Sequence, residues 1–535
     1  MCDLVGCKAD LVISAVVYLL WYDGRTVEAD GRSYSLYPLY LSTYGISNLR
    51  RAVAQRCTSL EVQVRRSPCF YAVTGHISSK HHIDIMKVHV SIFTSFILGC
   101  QAWSSIPGRN RYLGLKAASG NSNVVLNPST EEDAFDNLKV GSARVHRYVR
   151  DADEGSEYVM WYHGRGADFD PENKLPPLTT GRIGRATSRN GLHWKRTEEG
   201  SASEDVPGVS LGLNAENWWG FDTAHVRLGQ VLLPMSTPAV MTQGGVYLMY
   251  YMGGSFEETS IGKYIEKEIA GAKGAKIQGM NMKIGVALSQ DGISFGRIEG
   301  DDPSGAIMAP YDSSDPNMTW MKSMRDDDNS LLNLEEELYC GWPEVAFNDV
   351  PEEKREGALT KPNFFMYYST MLKETKKKVI SCAVSDDGIR FEKRGICVQP
   401  ESDGLDAGGC ARCTVVRKAV FDYSSSTWKS TKGWIMFYEG VSLEDGKHRI
   451  MTAESDDLRK WKKTGLALDV GESNESWDCD GVGAPHLIRL DDGSTRIYYT
   501  GQGSNGSTAI GVAKSENEDS FIWLREQAQL TFSAE

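Results

Sequence analysis

The chain has 535 residues, with 53 glycines, 23 tyrosines, 13 tryptophans and a formal net charge of −13. That length accommodates roughly two to four domains, or one large repeat fold with an appendage. At 41% hydrophobic and 24% charged residues it is able to bury a large core and is not broadly disordered. Glycine at this level without a G-X-Y period suits many tight turns, and long helical bundles are disfavoured.

The first 100 residues hold 10 Lys+Arg and 7 Asp+Glu, so the remaining 435 carry a balance of −16. An acidic body repels phosphate backbones, and no nucleic-acid partner is expected. Eleven cysteines, an odd number in a long chain, do not make a disulfide framework. Cys410 and Cys413 form one C-x-x-C with no second pair at zinc-site spacing. They read as ordinary buried thiols, and neither a metal nor a cofactor is expected.

In chain order, the apolar runs at 11–22 and 88–100 fall short of the ~18 residues of a spanning helix, so no stable membrane span is expected. Residues 31–83 contain 8 serines and 7 Arg/Lys but a single acid, Glu61, which is transit-peptide composition. A plastid location is the expectation, a cytoplasmic one the alternative. The sequons at Asn317, Asn474 and Asn505 keep a secreted alternative open. Residues 1–103 are expected to be a targeting or poorly ordered segment, and 104–535 the folded domain.

Past residue 130 the chain repeats. An aromatic strand occurs five times: YVMWYHG, VYLMYYMGG, FFMYYST, WIMFYEG and RIYYTGQ, with successive copies 89, 117, 70 and 61 residues apart between Tyr162, Tyr251, Tyr368, Tyr438 and Tyr499. Each is followed by a second strand and a turn, of which the Asn-Gly and Asp-Gly examples are hairpin signals. A closing aromatic (Trp194, Phe295, Phe391, Trp461, Trp523) begins an outer strand. A further strand precedes each copy: GSARVHRYV, DTAHVRL, WPEVAF, CARCTVV and APHLIRL. Four short antiparallel strands cannot bury both faces alone, and radial stacking of five such sheets predicts an all-β, five-bladed β-propeller. A pair of β-sandwiches is the runner-up. The extra length lies in insertions at about 253–283 and 301–340, expected to be loops with some helix.

The M-Y-Y-x-G strand, the S-x-D-G-x-x-W turn and the preceding D-x-x-x-x-A/P strand resemble the five-bladed propeller glycoside hydrolases, the arabinanase, levansucrase, invertase and mannoside-phosphorylase-like families. The resemblance covers about residues 130–535 and implies a sugar in a central funnel, cleaved by carboxylates that protonate the leaving oxygen and attack the opposite ring face. The families' acids usually lie in D-P and E-x-P patterns. Here Ser142, Thr223 and Gly341 occupy those places, so any working carboxylates are relocated.

Aligning the preceding strands on Ala143, Ala224, Pro343, Ala411 and Pro485 brings Arg144, His225, Glu344, Arg412 and His486 into one column, expected to ring the axis. Glu344 reads as a base or an ion-pair anchor, held ionised by four cations. Asp222, beside Trp218 and Trp219, is the second catalytic candidate. Arg144, His225, Arg412 and His486 converge where an anion would lie, and arginine forks match phosphate or carboxylate. The alternative is that they satisfy backbone carbonyls. Asp406 and Asp480 share a register that suits a structural turn or a substrate contact. Glu439 either reaches the funnel or is a solvated strand end. The acidic stretch 325–337 reads as a solvated insertion.

The expectation is a carbohydrate-active enzyme of the glycoside hydrolase or phosphorylase type. Its partner would be a small-molecule carbohydrate, an anionic sugar or one taken with phosphate. The alternatives are an inactive propeller that binds a sugar or metabolite, and a protein-interaction scaffold.

Overall fold

A computed structural model describes residues 123–149, 156–176, 181–200, 206–233, 246–265, 275–325, 332, 334–359, 362–515 and 523–526, with short strands at 27–29, 32–34, 64–67 and 70–73. The chain divides into two compact parts, Met1–Phe93 and Thr94–Glu535. In the first, Val27–Ala29 pairs with Arg32–Tyr34, and Val64–Ser67 with Phe70–Val73, both antiparallel. The expected targeting segment lies almost wholly outside the described residues.

The second part is all β. Among the described residues there is no α-helix, and the insertions expected to hold some helix carry only short 3-10 turns at Ile261–Tyr264 and Thr319–Ser323. No described helix is long and apolar enough to cross a membrane.

Five antiparallel repeats follow one another. Their first strands are β1 (Lys139–Val149), β2 (His225–Leu232), β3 (Gly341–Phe347), β4 (Gly409–Asp422) and β5 (Gly481–Arg489). Each pairs with the aromatic strand that follows it, and each aromatic strand pairs with a third. Outer strands begin directly after Trp194, Phe295, Phe391, Trp461 and Trp523, as the sequence predicts. The edge of Thr508–Ser515 in the fifth repeat is shared. Val124–Leu126, from before the first repeat, takes one part and Leu524–Arg525 the other.

The first strands form a closed cycle: β1 lies against β2, β2 against β3, β3 against β4, β4 against β5, and β5 against β1. Two sets of hydrogen bonds run around this cycle. The first uses the leading aromatic of each Tyr pair. Trp161 Nε1 donates to Gly292 O at 2.8 Å, Tyr250 OH to Gly388 O at 2.8 Å, Tyr367 OH to Leu458 O at 2.7 Å, and Tyr498 OH to Gly191 O at 2.8 Å. Each bond reaches the hairpin turn of the next repeat, and the fourth closes from the fifth repeat onto the first. Phe437 holds the equivalent place in repeat four and has no donor to give.

The second set comes from a β-bulge in the first strands. Ser142, Trp342, Arg412 and Ala484 have φ of 50°, 50°, 34° and 47°. These values are costly for residues with a Cβ and persist where surrounding contacts impose them. The bulge aims each N–H at the preceding repeat. Ser142 donates to Thr500 Oγ1 at 2.8 Å, Trp342 to Met252 Sδ at 3.3 Å, Arg412 to Ser369 Oγ at 2.9 Å, and Ala484 to Glu439 Oε2 at 3.1 Å.

Candidate functional site

A third device repeats in all five sheets. The second Tyr of each pair donates its hydroxyl to an acid that precedes the first strand, and that acid pairs with a cation of the outer strand. The sets are Tyr162–Asp136–Arg196, Tyr251–Asp222–Arg297, Tyr368–Glu337–Lys393, Tyr438–Asp406–Lys463 and Tyr499–Asp478–Arg525. In three repeats the residue before the acid stacks on the tyrosine, as Phe135, Phe221 and Trp477 do at interplanar angles of 28°, 25° and 26°. Gly285 makes room for one of them, since a Cβ there would lie 2.5 Å from Phe221 Cζ.

This corrects four readings. Asp222 is the fully buried acid of a structural triad, taking Tyr251 OH at 2.8 Å, Arg297 Nε at 2.6 Å and Asn214 Nδ2 at 3.1 Å. Its neighbour Trp218 is 88% exposed. Asp406 is structural in the same way, and its counterpart in repeat five is Asp478, whereas Asp480 is half-buried and donates its backbone N–H to Gln502. Glu337, the end of the stretch read as solvated, is the buried acid of repeat three.

Asp222→Asn is expected to cost about 1–3 kcal/mol in denaturant unfolding, because it leaves the Arg297 guanidinium without its carboxylate. Unchanged stability with a loss of turnover would instead place Asp222 in the chemistry.

Strand pairing also corrects the column. Arg144, Glu344 and His486 face Trp161, Tyr367 and Tyr498, but the residues in that register in repeats two and four are Gln230 and Thr414, facing Tyr250 and Phe437. Arg144 is buried on the axis and reaches every repeat. Its Nη1 donates to Pro485 O at 3.0 Å and Ala143 O at 3.4 Å, its Nη2 to Cys413 O at 3.4 Å, and its Nε to Gly229 O. Nη2 lies 3.3 Å from Glu344 Oε2. Glu344 Oε1 accepts from Gln230 Nε2 at 3.1 Å, Thr414 Oγ1 at 3.0 Å and Val415 N at 3.0 Å. Burial pushes the Glu344 pKa up against the pull of Arg144, so the expected ring of four cations does not govern it. His486 Nε2 donates to Val145 O at 3.0 Å, and burial with Arg144 nearby lowers its pKa to about 3. His225 lies at the start of β2, donates Nε2–H to Gly279 O at 2.8 Å, and is lowered to about 4, chiefly by burial. Cys410 and Cys413 are buried free thiols with pKa values raised by burial.

A different group of side chains gathers where the first strands begin. Arg227 and Arg412 lie 5.5 and 5.3 Å from the centroid of the Trp342 ring. Arg412 Nη1 is 3.3 Å from Glu439 Oε2, and His448 Nδ1 donates to Glu439 Oε1 at 2.6 Å. Arg227 Nη2 donates to Ser142 Oγ at 3.0 Å. Burial lowers the pKa of His163 well below the ordinary value, and Arg227, Arg412 and Lys139 add to the effect. Lys139 is lowered to about 8 by burial, Arg165 and Arg227. Burial would raise Glu439, but Arg412 and His448 hold it at about 2. It is therefore no solvated strand end. His163 Nδ1 and Arg412 Nε are buried without hydrogen-bond partners among the described residues. Tyr339, from the second insertion, packs edge-on against Trp342 at 5.9 Å.

Among the described residues the cluster is a cation-rich, aromatic-walled group with one carboxylate, Glu439, at one end of a five-strand cycle. Sequence reasoning missed Arg227, Trp342, His163, Lys139 and His448. Arg227 had a legible signal: it stands in register with Gly141, Gly341, Ala411 and Gly483, each opposite the residue that follows the second Tyr.

No model of a known protein family matches the chain. Two uncharacterised proteins of Mycobacterium tuberculosis are 31% identical to it over 140 residues, 26% of this chain and 40% of theirs, so the match spans less than half of those relatives. Similar solved structures include a glycosyl hydrolase from Bacteroides ovatus, at 14% identity and a TM-score of 0.44 over 76% of this chain and 95% of that one. An exo-1,5-α-L-arabinanase from a bovine ruminal metagenomic library is similar at 11% identity and a TM-score of 0.39, over 74% and 99%. A β-1,2-mannobiose phosphorylase from Listeria innocua is similar at 13% and 0.42, over 73% and 94%.

Proposed function

We propose that Thr94–Glu535 is a five-bladed β-propeller and a carbohydrate-active enzyme that cleaves a glycosidic bond in a sugar bearing an anionic group, held where the first strands begin. The closed cycle of β1–β5 and the hydrogen bonds that return from repeat five to repeat one support the architecture. The observation that carries the function is the pairing of Arg227 and Arg412 on one indole, with Lys139 close by and the Glu439 carboxylate beside Arg412. Like charges buried together raise each other's cost, and an anion relieves it. Trp342 offers an aromatic wall beside the charge.

Calorimetric titration tests this with a uronate-bearing oligosaccharide, its neutral counterpart and inorganic phosphate. The anionic sugar is expected to bind more tightly, with affinity falling as salt rises. Arg227→Met is expected to weaken it about 10- to 100-fold, the worth of a charge-assisted contact. Competition by phosphate would make phosphate the co-substrate. Equal affinity for the neutral sugar would overturn the reading.

A second reading, a propeller that binds its sugar without cleaving it, is favoured by the two sequence-proposed carboxylates. Asp222 and Glu344 each have structural partners, and an acid–base glycosidase needs a pair with an open face. The composition of residues 31–83 supports proposing a plastid location, which a fluorescent fusion of residues 1–103 would test.

A further inference from the structure

His448 differs from the buried histidines of this protein. Its Nδ1–H is donated to Glu439 Oε1, so in the neutral imidazole the lone pair sits on Nε2, and Nε2 has no protein partner among the described residues. The side chain is 17% exposed, whereas Glu439 is 1% exposed. Glu439 is itself held from three directions, by His448, by Arg412 and by the Ala484 N–H at 3.1 Å. A carboxylate fixed in this way sets the tautomer and orientation of its imidazole and stabilises the imidazolium.

Two carboxylates are needed for acid–base glycoside cleavage. Among the described residues the cluster holds one, Glu439, and it is committed to His448 and Arg412. Two guanidinium groups beside a positioned base suit another reaction, removal of a proton next to a carboxylate. There the developing charge falls on the carboxylate oxygens, and cations already in place stabilise it without reorganisation.

We propose that His448 is the general base of this site, positioned by Glu439, and that the bond is cleaved by β-elimination from a uronate residue of a glycan. This rests on the reading of the cluster as the site for an anionic sugar. His448 Nε2 takes the C5 proton of the uronate, and the C–H electron pair passes into the carboxylate as an enolate facing Arg227 and Arg412. That pair then forms the C4–C5 double bond. The C4–O bond breaks with its electrons on oxygen, which takes a proton from solvent, and His448 returns its own proton to solvent. No water adds across the bond and no oxidant is consumed.

The test uses the full chain with polygalacturonate and a glucuronate-bearing oligosaccharide. It follows the ultraviolet absorbance of the conjugated double bond, with calorimetry on the same glycans. Unsaturated product is expected. His448→Ala is expected to lower kcat by roughly 10²–10⁴-fold with KM little changed, the usual worth of a general base. Added imidazole is expected to restore part of the rate, which only a folded variant permits. Glu439→Gln is expected to lower kcat in the same direction, with His448 left without its anionic partner. Uronate binding without unsaturated product, or product formation that His448→Ala leaves intact, overturns the elimination and leaves anionic-sugar binding standing. Absence of uronate binding overturns both.

Discussion

Arg144→Met is expected to lower the free energy of unfolding by roughly 3–5 kcal/mol, the usual loss when one member of a buried ion pair is removed. The guanidinium touches all five repeats at once, through carbonyls of Ala143, Gly229, Cys413 and Pro485 and the carboxylate of Glu344. Methionine leaves those carbonyls without donors and Glu344 without its counter-charge. Denaturant melts of the wild type, Arg144→Met, Glu344→Gln and the double variant form a cycle that checks this. The two single losses should exceed the double by more than 1 kcal/mol, because the second removal relieves the group stranded by the first. Additive losses would show that the pair is not coupled. Retained stability with lost sugar binding would return Arg144 and Glu344 to the ligand.

The second large effect is acid unfolding. His163, His225 and His486 are buried and kept neutral, with pKa values well below the ordinary one, about 4 and about 3 respectively. The Nδ1 atoms of all three have no partner among the described residues, so a proton arriving there would be buried without an acceptor from them. In the unfolded chain each takes a proton near pH 6.5. Between that value and the folded pKa the unfolded state binds more protons, so stability falls as pH falls. The slope approaches about 1.4 kcal/mol per histidine per pH unit, and three such groups approach roughly 4 kcal/mol per unit against a net stability of about 5–15 kcal/mol. Melting temperature is therefore expected to drop steeply between pH 6.5 and 4. Glu439, held at about 2, adds its own loss only as the pH falls below the ordinary carboxylate range of about 4. His225→Asn and His486→Asn should each flatten the curve. A melting temperature constant down to pH 4.5 would mean that the imidazoles are protonated inside the folded protein.

Much of this architecture is written in local patterns. The five aromatic strands, the S-x-D-G turns and the closing aromatics each act over a few residues, where strand alternation and turn chemistry decide the outcome. All of them stand where the sequence places them. The structural acids share a spacing that was legible too, though Asp222 was read as catalytic, Asp406 as a structural turn or a substrate contact, Glu337 as part of a solvated stretch, and Asp136 and Asp478 were not singled out. Asp136, Asp222, Asp406 and Asp478 stand seven residues before Ala143, Gly229, Cys413 and Pro485, and Glu337 six before Pro343.

The register of the first strands was not legible to the same degree. Ala224 and Ala411 looked like the partners of Ala143 and Pro343 because small residues were matched in one dimension. The residues that hold those places are Gly229 and Cys413, because pairing with the aromatic strand and the bulge before it set which side chain faces the axis. That shift moved His225 off the axis, sent Arg412 to Glu439 and Trp342, and brought in Arg227.

The sequence by itself thus determined the all-β repeat, its turns and its aromatic core, since each is a local preference repeated five times. Only the tertiary structure decided which charged groups meet. Arg144 and Glu344, Arg227 and Trp342, and Glu439 and Arg412 come from different strands, most of them from different repeats. Their encounter depends on a one-residue bulge and on closure of the cycle, which local preference does not encode.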